Sequence, residues 1–361
     1  MSGTGRTLRV LVVDDSAFNR KTISELLEAI PNVRVVGKAA DGAEALRWVA
    51  ELGPDLITLD LEMPGVDGFH FLRMLMARQP TPVIVISGHS SRENVFRALE
   101  MGAIDFIAKP VNRPSTELVS ISASLVEKIE VVRHLTPTVL RPDTRSKLLK
   151  AGETVSTMMP AIGRTPSSSG TRAPAKIVVI GASTGGPTAL LEVFGRLAPE
   201  APLALVVAQH MPEKFTATFA QRLGRVSGFH VAEAEHGQRV VAGRGYVCPG
   251  GSAIELARAG ADLVIRVLPP DATDRYIPSV DRLFVSTARA AGSQAVGIIL
   301  TGMGDDGAVG VRAIAGAGGR VLAESDATAV VYGMPEAALR TGCVERALPL
   351  PELAATIARI I

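Results

Sequence analysis

The sequence predicts an α/β protein built in tandem: a flavodoxin-like unit with a five-stranded parallel sheet, a flexible linker, and a second doubly wound, mostly parallel α/β unit. Three observations carry this expectation. Short β-branched runs alternate with segments of helical apolar spacing, and they do so twice along the 361 residues. The runs are continuously apolar, as in strands covered on both faces, instead of alternating as in half-exposed strands. Between the two blocks lies a stretch rich in Pro, Ser, Thr, Gly and Arg. The expected boundaries are 1–135 for the first unit, 136–175 for the linker and 176–361 for the second unit.

In the first block the strand runs fall at 8–13, 33–36, 56–59, 83–86 and 105–108. Phe18, Ile23, Leu26, Leu27 and Ile30 show the helical spacing that fills the intervals. Five such units suit a flavodoxin-like order, whose ligands sit beyond the carboxyl ends of the strands. The linker, with Met159-Pro-Ala-Ile-Gly-Arg-Thr-Pro-Ser-Ser-Ser-Gly-Thr-Arg-Ala-Pro174, cannot bury enough apolar area to offset its ordering entropy. Its composition still allows a short helix at 146–150. In the second block, strands are expected at 177–180, 203–208, 296–300 and 320–323. Helices are expected to open near Pro187, Phe215, Val280 and Ala308. The segment 228–267 breaks into shorter strand-and-turn pieces, read as hairpins added to the sheet.

Composition narrows the function classes. A net charge of +2, from 38 basic and 36 acidic residues, gives no electrostatic footprint for nucleic acid. Two cysteines, Cys248 and Cys343, make neither a metal cluster nor a disulfide framework, which fits a reducing compartment. The short apolar run at the N-terminus ends in two aspartates and does not read as a secretory signal. No stretch approaches the roughly 20 apolar residues needed to span a bilayer. A cytoplasmic protein without membrane insertion is expected.

The chemistry of the first block lies at its strand ends. Asp14 and Asp15 follow the first strand and Asp60 the third, and these strands are neighbours in the expected order. Three converging carboxylates repel one another unless a cation binds, and hard oxygen donors of this kind suit Mg²⁺. Ser87 ends the fourth strand and Lys109 the fifth, so a hydroxyl and an ammonium at the same rim complete a phosphoryl-binding site. The plain alternative, that strand ends are simply wet, suits any one of these residues better than all five. The stretches Val13-Asp-Asp-Ser16, Asp60-Leu-Glu-Met-Pro-Gly-Val-Asp-Gly68, Ile86-Ser87 and Phe106-Ile-Ala-Lys-Pro110 resemble the receiver domain of two-component response regulators. The resemblance implies that Asp60 is phosphorylated, with Asp14, Asp15, Asp60 and the Glu62 carbonyl holding Mg²⁺. Ser87 and Lys109 would contact the phosphoryl group, and Phe106 would reorient on activation.

In the second block, Gly181-Ala-Ser183-Thr-Gly185 follows a strand and precedes a helix, the context of a nucleophile turn. Glycine-rich strand–helix turns also cradle phosphates, so this piece alone leaves nucleophile and nucleotide loop open. His210 follows the next strand, unlike His70, His89, His134, His230 and His236, and is placed to act as general base. Asp305 and Asp306 stand on a glycine turn before a helix. Either can cap that helix or orient His210.

The segments Ile180-Gly-Ala-Ser-Thr-Gly-Gly186, Gln209-His-Met-Pro212, Pro278-Ser-Val-Asp-Arg-Leu-Phe284, Thr301-Gly-Met-Gly-Asp-Asp-Gly307 and Val331-Tyr-Gly-Met-Pro335 resemble the catalytic domain of the CheB family, the protein-glutamate methylesterases of chemotaxis. By that resemblance Ser183 is the nucleophile, His210 the base, Asp306 the orienting acid and the Met303 N–H an oxyanion donor. It implies a phosphorylation-activated methylesterase and glutaminase with no cofactor in the catalytic domain. Its partners would be methylated chemoreceptors as substrate and a chemotaxis histidine kinase as phosphodonor, and a monomer is expected. The chain departs from the usual family pattern at Pro249-Gly-Gly-Ser-Ala253 and at Arg275-Tyr-Ile277. These departures are expected to spare the triad and to touch substrate recognition. Two rival readings are a response regulator with a non-catalytic binding output and an enzyme using 181–186 as a nucleotide loop. The second lacks G-x-G-x-x-G and a Walker lysine.

Overall fold

The computed structural model describes residues 6–88, 92–109, 114–136, 172–198 and 201–360, with the side chains of 114–120 set aside. Residues 137–171 of the linker, the short helix expected at 146–150, His89 and Pro110 lie outside the described residues. The chain forms two compact units, residues 1–149 and 150–361.

The first unit alternates β1 (Leu8–Val13), α1 (Ala17–Glu28), β2 (Val33–Ala39), α2 (Gly42–Leu52), β3 (Leu56–Leu59), α3 (Gly68–Arg78), β4 (Val83–Ser87), α4 (Arg92–Glu100), β5 (Asp105–Ala108) and α5 (Pro114–Arg133). Its five strands pair in parallel in the order β2-β1-β3-β4-β5, the expected flavodoxin-like arrangement. Residues Val10–Val13 and Leu56–Leu59 are buried, as continuous apolar runs in a doubly covered sheet must be. Short polar side chains start the helices. Ser16 accepts from the Asn19 N–H, Asp41 from those of Ala43 and Glu44, and Asp67 from that of His70. These caps fix where the chain leaves the sheet, and so which residues stand at the strand ends.

The second unit runs β6 (Lys176–Ala182), α6 (Gly186–Phe194), β7 (Leu203–Gln209), α7 (Glu213–Val226), β8 (His230–Glu233), β9 (Arg244–Val247), β10 (Ala253–Ala259), β11 (Asp262–Leu268), α8 (Val280–Ala291), β12 (Ala295–Ile299), α9 (Ala308–Gly316), β13 (Arg320–Glu324), α10 (Gly333–Leu339), β14 (Arg346–Leu348) and α11 (Leu350–Ile357). Seven strands form one parallel sheet in the order β14-β13-β12-β6-β7-β9-β8. The chain winds outward from β6 to one side through β7 and returns to the other side at β12. The topological switch point therefore lies at β6, where open α/β sheets place their sites.

The 228–267 region differs from the expectation of hairpins added to the sheet. β8 and β9 extend the edge in parallel, while β10 and β11 form a separate antiparallel pair. That pair rests on α8, with the Leu256 N–H donating to Ser286 Oγ and Arg282 bonded to Glu255. Its inward residues, Ile254, Leu256 and Ile265, join the core cluster of the second unit.

Candidate active site and phosphoryl-acceptor site

At the carboxyl edge of the first sheet, Asp14 and Asp60 are buried and Asp15 is exposed. One ligand oxygen from each lies within 4.8 Å of the others. Lys109 Nζ bridges Asp14 Oδ2 at 2.9 Å and Asp60 Oδ2 at 2.5 Å. Burial pushes the Asp60 carboxyl above the usual carboxylate range against the opposing pull of Lys109, and Asp14 adds to the rise. Burial opposes the charge on Lys109, yet Asp60 and then Asp14 outweigh it and hold the ammonium above its ordinary range. The Glu62 N–H donates to Asp60 Oδ1 at 3.2 Å and so helps fix that carboxylate. Among the described residues, the buried Ser87 Oγ has no hydrogen-bond partner. An orphaned hydroxyl and a carboxylate trio beside a lysine are the donor set that a divalent cation and a phosphoryl group require. Phe106 is buried and meets Phe96 edge-on, ring centroids 6.5 Å apart.

In the second unit the sheet register pairs Ala182 with Gln209. The next residue on each strand, Ser183 and His210, therefore leaves neighbouring strand ends. The His210 N–H donates to the Ala182 carbonyl at 3.0 Å, and the Ser183 N–H to the Thr301 carbonyl at 3.0 Å. Buried Gln209 spans both turns, its Nε2 donating to the carbonyls of Ser183 (2.8 Å) and His210 (3.1 Å). The loop after β12 lies against the nucleophile. A Cβ built on Gly302 would sit 2.8 Å from Ser183 Cβ and overlap Met334 Sδ, so only glycine allows this approach.

Asp306, 3 % exposed, accepts His210 Nε2 at 2.8 Å. Its other partners are backbone: Oδ2 also accepts the Val280 N–H (2.8 Å) and Oδ1 the Asp281 N–H (2.9 Å). The carboxylate thus seats on the first turn of α8, where unpaired N–H groups and the helix dipole stabilise negative charge. An ionised carboxylate only accepts, so the proton belongs on Nε2 and the lone pair on Nδ1.

The structure separates the adjacent aspartates. Asp305 is exposed and takes the Tyr276 hydroxyl at 3.0 Å and Arg275 at 3.3 Å. Neither aspartate caps α9: its N-cap is Gly307, without a side-chain cap bond. Both cap readings are corrected, because the turn carries the carboxylates past α9 to α8 and to the segment before it. The departure at 275–277 also lies closer to the triad than expected. The Tyr276 ring stacks on His210, with centroids 5.2 Å apart and planes 5° apart. Sequence reasoning missed this ring, Gln209 as a clamp, and buried Glu324, whose Oε2 accepts the Thr301 N–H at 2.9 Å.

A receiver-type acidic site on one parallel sheet and a Ser–His–Asp arrangement at the switch point of another define a response regulator with a hydrolase-type output. Residues 10–120 match the response regulator receiver domain and residues 178–357 the CheB methylesterase domain. The chain is 46 % identical over 362 residues to protein-glutamate methylesterase/protein-glutamine glutaminase 1 of Myxococcus xanthus (strain DK1622), covering 100 % of this chain and 99 % of that one. It is 49 % identical over 360 residues to protein-glutamate methylesterase/protein-glutamine glutaminase 6 of Anaeromyxobacter dehalogenans (strain 2CP-C), covering 98 % and 96 %. The crystal structure of the Thermotoga maritima CheB methylesterase catalytic domain matches with TM-score 0.50 and 35 % identity, over 52 % of this chain and 98 % of that one. The chain belongs to the CheB methylesterase family. Among the described residues, no helix is long and apolar enough to cross a membrane.

Proposed function

We propose that the protein hydrolyses γ-glutamyl methyl esters on chemoreceptors and deamidates selected receptor glutamines, under the control of phosphorylation at Asp60. The observation that carries the catalytic half is the 2.8 Å bond from His210 Nε2 to a buried Asp306 that is itself held by two backbone N–H groups. That bond sets the tautomer and leaves Nδ1 as the base. Nδ1 takes the proton as Ser183 Oγ attacks the ester carbonyl, forming the C–O bond and an oxyanion. By the family resemblance the Met303 N–H would donate to that oxyanion, while the N–H groups of Gly302 and Ser183 are committed to the Val331 and Thr301 carbonyls. One such donor contributes roughly 10²–10³ in rate. Collapse expels methoxide, which takes the proton from His210 and departs as methanol. Water, deprotonated in turn by His210, attacks the acyl-serine and restores the glutamate and the Ser183 hydroxyl. For a glutamine side chain the same sequence releases ammonia.

Control begins at the first site. Asp14, Asp15, Asp60 and the Glu62 carbonyl would hold Mg²⁺, which when bound screens the charges that keep an anionic phosphodonor from Asp60. Lys109 and the orphaned Ser87 hydroxyl would then take the phosphoryl oxygens, and movement of Ser87 would draw Phe106. The phosphodonor is a chemotaxis histidine kinase. Methanol release from methylated receptor membranes, measured with and without a phosphodonor, tests the whole reading. It should be present and rise with the donor, and its absence under both conditions would overturn the assignment.

A further inference from the structure

Between Leu268 and α8 the chain passes against His210 and Asp305. Tyr276 lays its ring parallel to the His210 imidazole, 5° between planes and 5.2 Å between centroids. Its hydroxyl donates to Asp305 Oδ1 at 3.0 Å. Arg275 reaches the same carboxylate and lies 5.3 Å over the Tyr276 ring, closing a three-residue tether. The seat for the ring is cut into the loop that carries Met303. Gly304 holds φ at +94°, and a Cβ there would overlap the Tyr276 hydroxyl and lie 3.1 Å from its Cζ. Burial, then the bond to Asp305, raises the phenol above its ordinary range, so it stays a donor.

We propose that Tyr276 is a positioning residue for this reaction: tethered to Asp305 and seated on Gly304, its ring fixes the plane of the His210 imidazole and ties the base to the loop that bears the Met303 N–H. The inference rests on the hydrolase reading of Ser183 and His210. Asp306 restrains His210 at one ring atom only, which leaves rotation about that hydrogen bond. A second ring stacked parallel and offset against the imidazole restricts that freedom and would hold Nδ1 toward the Ser183 strand end. Such alignment is a large part of what a preorganised site contributes. The tether also assigns Asp305 a role distinct from that of its neighbour, which explains why the turn carries two adjacent aspartates with separate partners.

The test uses the full chain, phosphorylated, with methylated receptor as substrate, and compares Tyr276→Ala, Tyr276→Phe, Asp305→Ala and the Phe/Ala double variant. Loss of an aromatic stack should lower kcat roughly 3- to 10-fold with KM unchanged in Tyr276→Ala. Tyr276→Phe keeps the stack and should recover most of that loss. Asp305→Ala should match Tyr276→Phe, and the double variant should lose no more than either, since all three cut one tether. In proton NMR of the same proteins, the His210 ring resonances should move downfield in Tyr276→Ala, because a shielding ring face is gone. A rise in KM with kcat intact would make Tyr276 a substrate contact and overturn the proposal, as would unmoved His210 resonances or no rescue by Phe. If the wild type released no methanol, the hydrolase reading would fail while the resonances still judged the stack.

Discussion

Replacing Glu324 with Gln should remove a pH dependence of stability that the wild type carries. Glu324 ends β13, is 1 % exposed, and gives Oε2 to the Thr301 N–H beneath the nucleophile. Burial pushes its carboxyl up to about 7 from an ordinary 4.5; the Thr301 N–H and the Thr328 hydroxyl oppose the rise, and Glu192, itself paired with Arg196, adds to it. A carboxyl whose folded value is raised is favoured in its protonated form, so the contribution of Glu324 to native stability is fullest below pH 4.5. Stability is lost as pH climbs from there through about 7, and the loss is constant above that. The difference between 4.5 and about 7, at 1.36 kcal/mol per unit, gives about 3 kcal/mol for a group this buried. Gln keeps an acceptor for Thr301 but cannot ionise. Urea unfolding from pH 4 to 8.5 measures this. Trp48, the only tryptophan, lies in α2. Its fluorescence reports the first unit alone, and far-UV circular dichroism then gives the second transition. The wild type should fall by about 3 kcal/mol relative to Glu324→Gln between pH 4.5 and 7. A difference between the two proteins that stays flat over that range would refute the reasoning.

Other outcomes follow from the same geometry. Asp306→Asn should cut kcat/KM by roughly 10³–10⁴, because the amide favours the wrong His210 tautomer. Asp305→Asn, touching only the tether, should cost less than about tenfold, and steady-state kinetics of the pair separates them. Gly302→Ala should destabilise the second unit by about 1–3 kcal/mol and lower kcat, since the new methyl meets Ser183 Cβ. Unfolding and turnover measured on that variant check both. Asp60→Asn, or chelation of Mg²⁺ in the wild type, should abolish stimulation of methanol release by a small-molecule phosphodonor without abolishing basal release.

The sequence exposed most of the architecture because β1, β3, β6, β7 and β12 are buried over most of their length and read as nearly continuous apolar runs. Those runs placed Asp14, Asp60, Ser183 and His210 at strand ends, where a parallel sheet puts its chemistry. The 228–267 segment was less legible: β8 and β9 have four residues each, and short strands carry no signal of parallel or antiparallel pairing. Asp305 and Asp306 look alike in the chain and differ through contacts with distant residues, Asp306 with His210 and the start of α8 and Asp305 with Arg275 and Tyr276. Glu324 resembles any wet strand-end acid until the Thr301 loop is seen to cover it. Tyr276 sits beside a motif segment but far along the chain from His210, and nothing in its local pattern marks a ring that stacks on the base.

In the proposed reaction everything turns on Ser183 attacking the ester with His210 as its base. Single-turnover methanol release from methylated receptor, comparing phosphorylated wild type with Ser183→Ala, tests it most directly. Ser183→Ala should keep the fold and accept phosphate on Asp60 but release methanol at less than roughly one-thousandth of the wild-type rate. Release by Ser183→Ala at a rate near that of the wild type would contradict it.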